Sequence, residues 1–161
     1  MKREGRHSRE RGQSMLEVAL LLPMLLILAL GVIDMGRYAF LSILVGNAAR
    51  AGAGYGAQSL PLSVDTSGIQ TAADNDFQNN GQNVSGLTVT SSVACGCDND
   101  GTVTAAVCST VTNPSAGTCA AGHWVVMESV TTSGTFNALF GYPGIPKSIT
   151  VTKTATLRVA E

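Results

Sequence analysis

Glu17 is the side chain that most needs a chemical explanation. It stands among Met15, Leu16, Val18, Ala19 and Leu20, and no further charged residue follows before Asp34. A carboxylate held in hydrocarbon costs up to about 2.5–3.5 kcal/mol at the centre of a bilayer and less near its edge. A nearby cation would offset that cost. Gly12 lies just upstream, and a cut after it would leave a new α-amine on Gln13, one helical turn before Glu17. In a packed assembly, Glu17 of one subunit would then meet the amine of its neighbour. The plainer reading is a tolerated interfacial carboxylate that ends the apolar span. Spacing by itself leaves both open.

Cys95, Cys97, Cys108 and Cys119 are the second constellation, crowded into one Gly- and Thr-rich window. An even, clustered set in an oxidising compartment reads as a disulfide framework rather than as catalytic thiols. A Cys95–Cys97 bridge is geometrically poor, which leaves a crossed and a nested pairing. A turn over Asp98–Gly101 places Cys108 several residues beyond Cys95, so the expected bridges are Cys97–Cys108 and Cys95–Cys119. A zinc site of four thiolates is the rival, but the spacing lacks the usual paired CxxC knuckles. Asp98, Asn99 and Asp100 before Gly101 resemble half of a calcium loop. Its distal glutamate is absent, so a turn is expected instead.

Catalysis finds little support. The two histidines are His7, in a basic head, and His123, beside Trp124 at the start of an extended run. No carboxylate pair, nucleophile elbow or phosphate-cradling glycine loop is legible, and the chain is read as no enzyme, without cofactor or metal. A net charge of -1 also argues against nucleic acid as a partner, since neutralising phosphates needs a basic face.

The elements that position these residues follow from composition and period. Charged residues are only 13% of the 161, and an apolar run from Gln13 to Ile33 accounts for much of that deficit. As a helix the run matches the thickness of a hydrocarbon core. Lys2, Arg3, Arg6, Arg9 and Arg11, opposed by Glu4 and Glu10, place the N-terminus in the cytoplasm by the positive-inside rule. Residues 1–12 are then a basic, unstructured leader. Helix is expected to begin near Gln13 or Ser14 and to continue to about residue 56, kinked at Pro23, which removes one backbone donor. Asp34 and Arg37, three apart, are placed to pair where the helix leaves the bilayer. After Leu60-Pro61, the spacing of Ile69, Ala72, Ala73 and Phe77 predicts a short helix capped at Thr66 or Ser67 and stopped by Gly81. From Leu87 the period becomes two. Strands are expected over 87–93, 102–107, 124–131 and 149–159, the first two forming a hairpin, with a compact loop over 136–146 that holds Phe140, Tyr142, Pro143 and Pro146.

With these pieces laid out, a family resemblance becomes visible. Glycine, four residues, then glutamate at the head of an apolar helix resembles the cleavage and assembly motif of type IV pilin-like proteins. Arg11-Gly12-Gln13-Ser14-Met15-Leu16-Glu17-Val18-Ala19-Leu20 with Pro23, Gly31 to Arg37, and Asn47-Ala48-Ala49-Arg50-Ala51-Gly52 resemble the TadE/TadG-like family. These are minor pilins or pseudopilins of the tight-adherence pilus. Phe140 to Pro146 and a closing strand with Arg158 fit more loosely. The resemblance implies assembly rather than catalysis. A prepilin peptidase would cut between Gly12 and Gln13, and Glu17 would guide register among neighbouring pilin helices. Val18 departs from the aromatic residue usual after this glutamate in pilins of the system, which argues against a major pilin.

The expected fold is α+β, a long N-terminal transmembrane helix followed by a small antiparallel sheet. The chain divides into a leader (1–12), a long helix with a membrane-spanning first half (13–57), a polar linker with a short helix (58–86) and an extracytoplasmic β-rich domain (87–161). Its expected place is the cytoplasmic membrane, single-pass, with the C-terminal domain outside. Other pilins, a prepilin peptidase and the pilus assembly machinery are the expected partners. A secreted binding module behind a signal peptide is the first alternative, opposed by the length of the apolar stretch and the lack of an A-x-A site. A small tethered periplasmic enzyme is the second.

Overall fold

A computed structural model of the chain describes residues 7–83, 86–108, 117–141, 144 and 146–160, with side chains from residue 14 onward. The leader cations Lys2, Arg3 and Arg6 with Glu4, and the loop residues Tyr142 and Pro143, lie outside the described residues.

Helix α1 runs from His7 to Gly56, 50 residues without a break, and passes through Pro23. At 1.5 Å per residue it is about 75 Å long. The unstructured leader expected up to residue 12 needs correcting, because backbone helix begins at His7 rather than at Gln13. Propensity explains the extension: nothing between His7 and Gln13 breaks a helix except Gly12, and an established helix propagates at one hydrogen bond per residue.

Two short helices follow, α2 over Leu60–Ser63 and α3 over Thr66–Asn79. The cap of α3 is Asp65, not Thr66 or Ser67; its carboxylate accepts the Gly68 N–H at 3.0 Å. A carboxylate caps better here because it takes several donors at once, and Ser67 and Tyr55 also donate to it, at 2.7 and 2.9 Å. Ile69, Ala73 and Phe77, at helical spacing, face inward and are buried.

Four strands form one antiparallel sheet: β1 (Leu87–Asn99), β2 (Thr102–Ala106), β3 (His123–Asn137) and β4 (Ser148–Arg158), in the order β2-β1-β3-β4. The β1–β2 turn is Asp100-Gly101, with φ of 51° and 84°. Positive φ at both central residues is what a two-residue hairpin matching the strand twist requires. β3 alternates cleanly. Val126, Glu128, Val130, Thr132 and Phe136 turn toward the helices, while Ser129, Thr131 and Ser133 turn outward. Those three pair hydroxyl to hydroxyl with Thr156, Thr154 and Thr152 of β4, at 3.0, 2.8 and 3.0 Å.

The C-terminal half of α1 lies along β3 and runs antiparallel to it. A Cβ on Gly56 would meet Glu128, one on Gly52 would meet Val130, and one on Gly134 would meet Val45. Thr132 donates to the Val45 carbonyl at 2.7 Å, and the rings of Tyr38 and Phe136 meet edge to face at 5.6 Å. Small residues on the helix and the sheet permit this close approach. Leu44, Val45, Ala48, Ala49 and Ala53 are thereby buried; the first three form one cluster with Ala73 and Phe77 of α3 and Val151 of β4, and Ala53 forms a second with Ile69 and Val130.

Candidate assembly and membrane-facing site

The first half of α1 covers nothing. Met15, Leu16, Leu20, Leu25, Ile27 and Val32 are each more than half exposed, and the most apolar window of the helix is not buried at all. α1 is the one helix among the described residues long and apolar enough to cross a membrane. A core helix of the same composition would be covered by its own domain. This one is covered only past Asp34.

Glu17 lies on this bare half with its carboxylate exposed, and the Gly12–Gln13 peptide lies in helical backbone one turn earlier. The fold sets the spacing of Glu17 and Gln13 along the axis at about 6 Å, four residues of rise. Pro23 has no N–H, so the Ala19 carbonyl loses its usual helical donor there.

The junction between bare and covered halves is built from charge. Arg37 donates to Asp34 at 2.9 Å, as their spacing of three predicts. Asp34 is 7% exposed, and its two carboxylate oxygens also receive the backbone N–H of Leu139, from the β3–β4 loop, at 3.3 Å each. Arg37 in turn reaches the Asn137 carbonyl at 3.5 Å and sits over the Phe136 ring at 5.4 Å. A cavity of about 270 Å³ opens beside it, lined by Arg37, Phe40, Leu41, Gln82, Phe136 and Asn137. The pairing of Asp34 with Arg37 was legible in the sequence. The reach of both to a loop about a hundred residues away was not.

At the other end of the domain, the cysteine pairing is corrected. The bridges are Cys95–Cys108 and Cys97–Cys119, with Cα–Cα distances of 5.2 and 5.7 Å. β1 continues through Asp98 and Asn99, so the turn is two residues rather than four and the register moves. Cys95 then faces Ala106, and Cys108 lies just past the end of β2, within bridging reach. Cys119 closes onto Cys97 beside Trp124, the cross-strand partner of Cys97. With every cysteine bridged, the four-thiolate zinc reading falls; no His, Cys, Asp and Glu grouping suited to a metal occurs among the described residues.

The half-calcium reading resolves into turn chemistry, since Asp98 accepts the Gly101 N–H at 2.9 Å. Its other oxygen lies 3.6 Å from both His123 and Arg158, a partly exposed cluster that ties the sheet's far end together. His123 opens β3 and faces solvent.

Sequence reasoning passed over Glu128. It is fully buried on β3 against α1, and neither carboxylate oxygen has a hydrogen-bond partner. Burial pushes its carboxyl up from 4.5 to about 7. The available signal was parity: Glu128 sits between Val126 and Val130 on a period of two, which puts it on the inward face.

Against this geometry, residues 12–54 match the family model described as TadE-like protein. The match begins at the glycine before the apolar run and ends within the buried half of α1. No curated protein and no solved structure matches the chain.

Proposed function

We propose, from the premise that this chain belongs with the TadE-like proteins through residues 12–54, that it is a membrane-anchored minor pilin or pseudopilin of a tight-adherence pilus. It takes part in assembling or anchoring that pilus and is structural rather than catalytic. The observation that carries the reading is one continuous helix whose first half is apolar and bare while its second half is core. Such a helix stays with its domain and offers the bare half to lipid or to like helices. The chain is held in the cytoplasmic membrane with its basic leader inside and the disulfide-bridged sheet outside, where thiols oxidise.

Assembly follows from Glu17. A prepilin peptidase cuts after Gly12, Gln13 carries the new amine, and that amine offsets the charge of Glu17 on an adjoining subunit in a medium of low dielectric. Pro23 lets the bare half bend to fit its neighbours.

Glu17→Leu keeps the span apolar while removing the register charge, so membrane insertion is expected to persist while pilus production or co-purification with pilin subunits is lost. Mass spectrometry of the extracted wild-type protein is expected to give Gln13 as its first residue. A freely dissolved product lacking the apolar helix, or undiminished pilus production by Glu17→Leu, overturns the reading.

A further inference from the structure

We propose that the β3–β4 loop is a second membrane contact, its Leu139 and Phe140 side chains seated in the outer interfacial layer of the same bilayer that α1 crosses. The inference rests on the reading of α1 as a membrane span, and deepens it. β3 descends α1 in step: Glu128 at Gly56, Val130 at Gly52, Thr132 at Val45, Phe136 at Tyr38 and Leu139 at Asp34. Each step along the strand moves toward the apolar half of the helix, so Leu139, just past the end of β3, lies nearer that half than any residue of the strand in this series. Asp34 is the first charged residue beyond the span, and the Leu139 N–H is bonded to it. Depth is therefore set by a contact, not by the swing of a free loop. The loop's own closure, Ala138 N–H to the Lys147 carbonyl at 2.9 Å, holds its base.

What the loop presents at that depth suits the interface. Leu139 is 58% exposed and Phe140 44% exposed, with Ile149 and the helix residue Phe40 also uncovered. Ile33 and Met35, on either side of Asp34, are likewise exposed. Lys147 flanks them as an exposed cation placed for anionic headgroups, and the part-exposed Arg37, paired with Asp34, stands beside it. Apolar tips with cations behind them are the pattern that lies in a headgroup layer. Two attachments, helix and loop, would restrict the tilt of the sheet domain over the membrane.

The test uses the full chain in vesicles of phosphatidylethanolamine and phosphatidylglycerol whose acyl chains are brominated near the headgroup. Trp124 is the sole tryptophan and lies beyond the Gly56 end of α1, more than about 30 Å up the helix from Asp34, so it serves as an internal reference out of reach of the bromines. Phe140→Trp adds an emitter in the loop and Leu25→Trp adds one in the span. Both added emissions are expected to be quenched while that of Trp124 is unchanged. Quenching at Leu25→Trp with none at Phe140→Trp overturns the loop contact and leaves the span standing. No quenching at either overturns the span, and the loop contact with it. Should Phe140→Trp resist quenching yet become shielded from aqueous acrylamide as protein density rises, the loop faces another protein and the proposal also fails. A second pair, Leu139→Asn with Phe140→Ser, is expected to increase the angular freedom of the sheet domain, read as faster depolarisation of Trp124.

Discussion

Glu128 is a carboxyl that the fold holds neutral by excluding water rather than by supplying a partner. Its proton is bound more tightly in the folded state than in the unfolded one, where a glutamate releases it near 4.5. Stability from this group is therefore fully present below about pH 4.5 and declines as pH rises toward about 7, beyond which the penalty is constant. Glu128→Gln removes the charge at nearly constant volume. It is expected to raise stability at pH 8, by roughly 3 kcal/mol at most, and to flatten the decline between pH 4.5 and 7. Melting temperature followed by circular dichroism across that range checks both points; an unaltered slope in the variant overturns the assignment. Asp34 is also buried, though less completely, and is supplied with donors, Arg37 and the Leu139 N–H. The difference is one of partners, and no residue-type pattern encodes partners that arrive from a hundred positions away.

Among the elements, the contact between α1 and β3 depends on small residues at the crossing. A Cβ on Gly52 would stand 3.2 Å from both the Ile69 carbonyl and a Val130 methyl, whereas one on Gly54 would meet nothing within 4 Å. Gly52→Leu is expected to destabilise the domain by on the order of 1–3 kcal/mol through overpacking. Gly54→Ala, on the open side of the same helix, is expected to stabilise it by about 0.5–1 kcal/mol through helix propensity alone. Denaturation of both variants in the same detergent checks the contrast, and equal effects would contradict the crossing. Gly52 and Gly54 are equivalent in sequence terms, and which of them touches the sheet depends on how the helix is rotated about its axis. The cysteines teach a similar lesson. Their oxidation was readable from count and clustering, whereas their pairing turned on two residues of strand, Asp98 and Asn99, that resemble a turn in sequence.

At the scale of the molecule, α1 changes character along its length. From Val18 to Ile33 it is apolar on every side and uncovered, and past Asp34 it is apolar toward one domain, so a single element fits a membrane anchor at one end and forms core at the other. The leader's cations are expected to hold the N-terminus in the cytoplasm. Protease added to spheroplasts is then expected to degrade the sheet domain while leaving a fragment that still carries the N-terminus. Protection of the sheet domain with loss of the N-terminus would reverse the topology and with it the proposed compartment.

The apolar run, its basic head, Glu17 with Gly12 before it, and the change of period at Leu87 are local features. The periods that mark helix and strand are each written within a few residues, so the α+β class and the likeness of residues 12–54 to TadE-like proteins were legible in sequence alone. The cysteine pairing, the inward Glu128, and the link of Leu139 to Asp34 were decided only by tertiary structure. Each depends on the register between segments far apart in the chain, and register is set by the simultaneous packing of α1, α3 and the sheet.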